Sequence, residues 1–204
     1  MEKNSSNRNN KYYYDIVKHM VHILEERDSY TMHHSRRVAK TSLFVAQSFG
    51  LSAMQCKRVY LAADAHDIGK IGIPDCILNK RGSLTEEEWV IMKRHPELGA
   101  RILMKSPSME RIAEIVRCHH ERYDGTGYPS GLAELQIPLE ARIIAVCDSI
   151  DAMQSKRAYR DSLPDEMCRY EIDKNSGLMY DPQVVDFVLE NWEKIRQELK
   201  TTVS

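Results

Sequence analysis

The residues able to do chemistry are histidines set beside carboxylates. The chain has eight histidines. His66 is followed at once by Asp67, His119 and His120 by Glu121, and His95 by Pro96. A further pair, His33 and His34, precedes Ser35, while His19 and His22 read as partly exposed structural residues on one helix. Asp148 lies inside the otherwise apolar run ARIIAVCDSIDAM. On a helix it shares a face with Ile144 and Ala152, and a buried carboxylate is costly unless paired or bound to a cation. Imidazole and carboxylate together suit first-row transition metals. A carboxylate has two oxygens and can bridge two ions, whereas an imidazole ligates once. Several histidines with Asp67 and Asp148 therefore fit a dinuclear centre better than a single zinc.

These residues must be brought together by helices. Tyr13, Ile16, Val17, Met20 and Leu24 recur at the spacing of an amphipathic helix. Thr31 can cap a second helix, with Val38, Val45 and Phe49 on its apolar stripe and Gly50 at its stop. Ser52 and Gln55 form a capping box, and the helix they open carries Cys56, Val59, Tyr60 and Ala63 and continues into His66-Asp67, broken by Gly69 and Gly72. Residues 71–84 read as loop with one short turn. Thr85 and Glu88 form a second capping box for a helix running to His95, and Pro96 opens the next, to about Met104. Ser108 starts a helix with Ile112, Ile115 and Val116 inside and His119-His120 near its end. YDGTGYPSG is dense in turn formers. Helices are predicted over 139–154, 164–175 and 182–199, the last continuous through Val184, Val185, Val188, Trp192, Ile195 and Leu199. Strand alternation and repeats are not found. The fold class is all-α: a polar tail over residues 1–10, then one helical domain over 11–204.

Composition narrows the function. The chain has 204 residues, 42% of them hydrophobic and 29% charged, ordinary globular usage. No stretch approaches the roughly 18 apolar residues of a membrane span, and the opening MEKNSSNRNN lacks the apolar core of a secretory signal. A net charge of −1 gives no field for duplex DNA or RNA. Cys56, Cys76, Cys118, Cys147 and Cys168 form no CxxC pair, which predicts reduced thiols and a cytoplasmic protein. Cys118 and Cys147, each beside a candidate ligand, read as small buried apolar side chains.

The segments DSYTMHHSRRV (28–38), HDIGKIGIPD (66–75), HPELGA (95–100), HHERYDGTGYPSGL (119–132) and IPLEARIIAVCDSIDAMQSKRAYR (137–160) together resemble the HD-GYP domain, over roughly residues 28–187. The resemblance implies an all-α HD-type bundle and metal-dependent hydrolysis of cyclic di-GMP, by a hydroxide activated at a dinuclear centre, to linear pGpG and on to GMP. It implies iron, alternatively manganese. Carried over by position, the metal ligands are His34, His66, Asp67, His95, His119, His120 and Asp148. His34 rather than His33 matches, because the motif places its histidine directly before Ser35. His34, His66 and Asp148 are assigned to one ion, His95, His119 and His120 to the other, and Asp67 to the bridge. Tyr30 stands where members with a third metal carry Glu, which argues for two ions. Lys70 matches a phosphate binder and leaving-group acid. Tyr128, Arg157 and Arg160 match dinucleotide contacts, although the family usually has Pro where Ala158 stands and Gly near Glu134. Asp124 is read as bracing its own turn, and Gly125 and Gly127 as supplying backbone freedom. The GYP segment is also an expected docking surface for a protein partner, and Tyr12-Tyr13-Tyr14 an expected contact within the bundle or in a homodimer. Two rival readings stand beside this one. The nearer is the same chemistry on another cyclic dinucleotide such as 3′,3′-cyclic GMP-AMP; the farther is a non-catalytic cyclic di-GMP sensor or docking module.

Overall fold

The computed structural model describes residues 15–24, 26–27, 33–155 and 162–201. The polar tail, Tyr12–Tyr14, Tyr30, Thr31, Arg157 and Arg160 lie outside the described residues. The first helix, α1, covers residues 15–24. It is followed by α2 (His34–Ser48), α3 (Ala53–Asp64), α4 (Asp75–Leu78), α5 (Glu86–Met92), α6 (His95–Leu103) and α7 (Glu110–Arg117), then by α8 (Leu139–Gln154), α9 (Asp165–Lys174), α10 (Pro182–Glu190) and α11 (Trp192–Thr201). Short 3-10 turns occupy Ile68–Gly72, Pro107–Met109 and Glu134–Gln136. Among the described residues there is no β-strand, and no helix is long and apolar enough to cross a membrane.

The core is a helical bundle in which α2 packs on α3, α8 and α11, and α7 packs on α3 and α6. Small residues set the close approach: Ala39 and Ala46 on α2, Ala62 and Ala63 on α3, and Ala141 on α8 are all buried. Ile143, Ile144, Val146 and Ile150 fill the space around α8. Cys56, Cys118, Cys147 and Cys168 are buried as small apolar residues, and Cys76 is exposed. Both predicted capping boxes form: Ser52 with Gln55 at the start of α3, and Thr85 with Glu88 at the start of α5. Gly50, at φ +83°, ends α2.

The continuous helix predicted over 182–199 is two helices. Asn191 separates them, its side-chain amide donating to the Phe187 carbonyl at 3.0 Å while its own carbonyl accepts from Lys194 and Ile195. Because Val184, Val185 and Val188 on α10 and Trp192, Ile195 and Leu199 on α11 all face the core, the apolar period survives the break.

Candidate metal centre

The site forms where helices end. His66 and Asp67 lie just past the end of α3, beyond the helix that the sequence periodicity extends to them, and His119 and His120 just past the end of α7. His95 opens α6, immediately after α5. The last four carbonyls of a helix have no partner within it. Three of the histidines use this. His66 Nδ1 donates to the Ala63 carbonyl at 2.7 Å, His95 Nδ1 to Met92 at 2.9 Å and His119 Nδ1 to Val116 at 2.6 Å. Each carbonyl lies three residues back, in the closing turn of α3, α5 or α7. A carbonyl can only accept, so each Nδ1 carries a proton, and Nε2 is the nitrogen whose lone pair can ligate.

Those lone pairs converge. His95 Nε2 and His119 Nε2 are 3.3 Å apart. With both Nδ1 protons committed, two lone pairs face one another, an arrangement that an electrophile between them relieves. The ligand atoms of His95, His119 and His120 lie within 4.8 Å of one another, and so do those of His34, His66 and Asp148. Asp67 stands between the two groups. Its Oδ2 is 3.5 Å from His66 Nε2 and its Oδ1 is 3.4 Å from His95 Nε2, so one oxygen addresses each side. Imidazole and carboxylate donors in this arrangement fit transition-metal ions. His34 is buried, with Nε2 3.1 Å from Asp148 Oδ1, whereas His33 is exposed in the turn before α2 at φ +68°. Asp148 is not fully buried; its side chain keeps 18% of its exposure.

The electrostatics divide the site. Burial lowers the pKa of His95 to about 3 and of His120 to about 4, and holds His119 well below its usual value, so these rings are neutral at pH 7. For His34, burial opposes charge, but hydrogen bonds and attraction from Asp148 and Asp151 outweigh it and raise the ring to about 9. Asp67 is well below the ordinary carboxylate range: burial acts to raise it, and Lys70, His66 and His95 overcome that. Asp148 is lowered in the same way, burial being outweighed by His34, His66 and His120.

Lys70 reaches Asp67, its Nζ 2.7 Å from Oδ2. Gly69 permits the packing beneath it. A Cβ there would meet the His95 carbonyl oxygen at 1.9 Å and the Gly99 nitrogen at 2.5 Å. Its role is thus close approach rather than breaking a helix. On the other side, the Tyr128 ring lies 4.9 Å from the His120 ring, tilted by 33°, with Lys93 Nζ 5.5 Å from its centroid. The loop carrying Tyr128 is held by Glu121, buried, which accepts from the Ser130 and Leu132 amides at 2.7 and 3.1 Å. Asp124 accepts from the Thr126 amide and hydroxyl, as expected of a turn brace. Gly125 does need freedom, at φ +79°, but Gly127 needs space: a Cβ there would sit 2.3 Å from the Arg122 nitrogen.

Two residues join the site without having been singled out in the sequence. Asp151 Oδ2 accepts from His34 Nδ1 at 2.6 Å, and Arg37 clamps Asp151 with Nε on Oδ1 at 2.6 Å and Nη2 on Oδ2 at 2.9 Å. The signal available was spacing: Asp151 lies three residues after Asp148, and Arg37 three after His34, so each shares its neighbour's helix face.

A model of the HD domain family matches residues 18–184. Among curated relatives, the cyclic di-GMP phosphodiesterase of Thermotoga maritima is 45% identical over 179 residues, covering 87% of this chain and 49% of the relative. The 3′3′-cGAMP-specific phosphodiesterase 2 of Vibrio cholerae is 37% identical over 182 residues, covering 88% of this chain and 35% of the relative. The chain thus spans half or less of the length of these relatives. Among solved structures, the cyclic GMP-AMP specific phosphodiesterase V-cGAP3 of V. cholerae superposes with a TM-score of 0.65 at 18% identity, covering 92% of this chain and 51% of that one, a likeness of fold.

Proposed function

Because the chain belongs to the HD domain family, in its HD-GYP branch, we propose that it is a metal-dependent phosphodiesterase that hydrolyses cyclic di-GMP to pGpG and, in a second step, GMP. The observation that carries this reading is the Asp67 carboxylate between two sets of ligand atoms, one oxygen turned to each. His34, His66 and Asp148 would hold one ion and His95, His119 and His120 the other, with the Asp67 carboxylate between them. Two ions are proposed, with iron first and manganese as the alternative; the nitrogen-rich donor set favours such metals over magnesium or calcium.

When bound, such a metal pair supplies Lewis-acid activation of phosphate and water at neutral pH. The remaining work belongs to the protein. The carbonyl-held rings of His66, His95 and His119 need no reorientation to present Nε2, so their order is built in before substrate arrives. Lys70, beside the bridge, offsets charge on the phosphate and gives a proton to the departing ribose 3′-oxygen. Tyr128, backed by His120, offers an aromatic face to a guanine base. Arg157 and Arg160, outside the described residues, are proposed to grip phosphate through paired guanidinium donors.

A second reading, hydrolysis of 3′3′-cGAMP, is supported by the V. cholerae relative named for that substrate. One experiment separates them. Protein purified without oxygen is loaded with Fe(II) or Mn(II), its metal content is measured, and it is given each cyclic dinucleotide. Two ions per chain and pGpG from cyclic di-GMP are expected. Turnover of 3′3′-cGAMP with cyclic di-GMP left intact favours the second reading. Binding without turnover of either overturns both and makes the chain a sensor module.

A further inference from the structure

The histidines of the centre are not oriented alike. His66, His95 and His119 give their Nδ1 protons to neutral backbone carbonyls. His34 gives its proton to the Asp151 carboxylate, at 2.6 Å, with Asp151 only 2% exposed. Arg37 fixes that carboxylate from the opposite side through a two-point contact, and its Nη2 also donates to Ser155 Oγ at 2.9 Å. A carboxylate behind an imidazole both locks the ring and makes its free nitrogen a stronger donor. The same position has Asp148 as an anionic ligand candidate, 3.1 Å from His34 Nε2. Among the described residues, the His95–His119–His120 position groups three imidazoles, with Asp67 Oδ1 3.4 Å from His95 Nε2 as its carboxylate contact.

We propose that Asp151, held in place by the two-point contact from Arg37, is a positioning residue for His34, and that it makes the His34–His66–Asp148 position the tighter of the two metal positions, filled first, with the three-histidine position the exchangeable one. This rests on the dinuclear reading above. A plain structural tie between α2 and α8 would need only the Arg37–Asp151 pair. The hydrogen bond to His34 adds a contact that such a tie does not call for.

The test reads metal affinity. Metal-free protein is titrated with Mn²⁺ against a competing chelator, and the ion is followed by electron paramagnetic resonance. Wild type should fill in two steps about tenfold or more apart. His34→Ala should remove the tighter step and His120→Ala the weaker. Asp151→Asn keeps the size and an acceptor oxygen but loses the charge. It should weaken the tighter step by about ten- to a hundredfold, a usual cost for such an outer partner, and spare the weaker step. Asp151→Glu should restore part of the loss. If Asp151→Asn melts before it can be titrated, Arg37→Lys, which keeps a cation but not the two-point grip, should show the same selective loss in smaller measure. Two equal steps in wild type, or an Asp151→Asn protein with wild-type affinity or with both steps weakened alike, overturn the inference while leaving a hydrolytically active dinuclear protein intact. Wild type that binds no Mn²⁺ and no Fe²⁺ overturns the dinuclear reading itself.

Discussion

Lys70 donates to the Asp67 carboxylate, yet its proposed task concerns substrate. Its Nζ lies 2.7 Å from Asp67 Oδ2, the oxygen turned toward His66. A carboxylate oxygen has two lone pairs, so Asp67 can keep this hydrogen bond and still address an ion. Lys70→Ala removes a cation from beside a cation site, so metal content should hold or rise. Turnover should fall, because Lys70 is the group assigned to give a proton to the leaving oxygen. Loss of one such group typically costs about 10²–10³ in kcat. Elemental analysis alongside steady-state kinetics checks this. A metal-depleted Lys70→Ala protein, or one turning over at the wild-type rate, sinks the assignment. At this scale the motif resemblance chose His34 over His33, and His34 is the one found 3.1 Å from Asp148, while His33 is exposed. Spacing puts Asp151 and Arg37 on the faces of Asp148 and His34, but the contact that gives them a role joins residues more than a hundred positions apart, which the sequence does not pair.

The elements matter mainly through their ends. The 3-10 turn Ile68–Gly72 carries Lys70 and follows Asp67, and it presses on the start of α6, which carries His95. The contact is possible because residue 69 has no side chain: its Cβ would collide with backbone atoms of His95 and Gly99. Backbone cannot swing away as a side chain can. Gly69→Ala should therefore part the turn from α6, cost about 1–3 kcal/mol or more of stability, and lower the metal-to-protein ratio by separating Asp67 from His95. Gly72→Ala is the contrast, since its Cβ would meet only the Leu98 side chain, at 3.0 Å. It should melt near wild type with metal retained. Thermal melts and metal analysis of both variants decide it; a Gly69→Ala protein indistinguishable from Gly72→Ala would refute the packing argument. The helices and their capping boxes were legible in the sequence because both signals are local. The break at Asn191 was not, because α10 and α11 bury consecutive stretches of one apolar stripe. Nor were the ties between distant elements, such as Arg142 on buried Asp181, or Arg27 on Asp75 and the Ile71 and Ile73 carbonyls.

Across the whole molecule, the candidate ligands come from the start of α2, the turn after α3, the start of α6, the turn after α7 and the middle of α8. These elements are separated along the chain and are held together by an apolar core that ends where the histidines begin. The unfolded chain has no such site, so binding free energy becomes folding free energy. At a hundredfold excess over its Kd, one ion adds about 2.7 kcal/mol. In a chain of this size, about 1 kcal/mol moves the Tm by roughly 2–4 °C, so each ion should raise it by on the order of 5–10 °C. The expected result of calorimetry is a melt that falls in two stages as chelator is increased. The first loss should accompany departure of the ion proposed for His95, His119 and His120, and the second that of the ion proposed for His34, His66 and Asp148. His120→Ala should abolish the first stage alone. A Tm that does not respond to chelator in a protein shown to have lost its metal would mean that the unfolded chain binds the ions as well as the folded one does, and would overturn the claim that the site exists only in the folded chain.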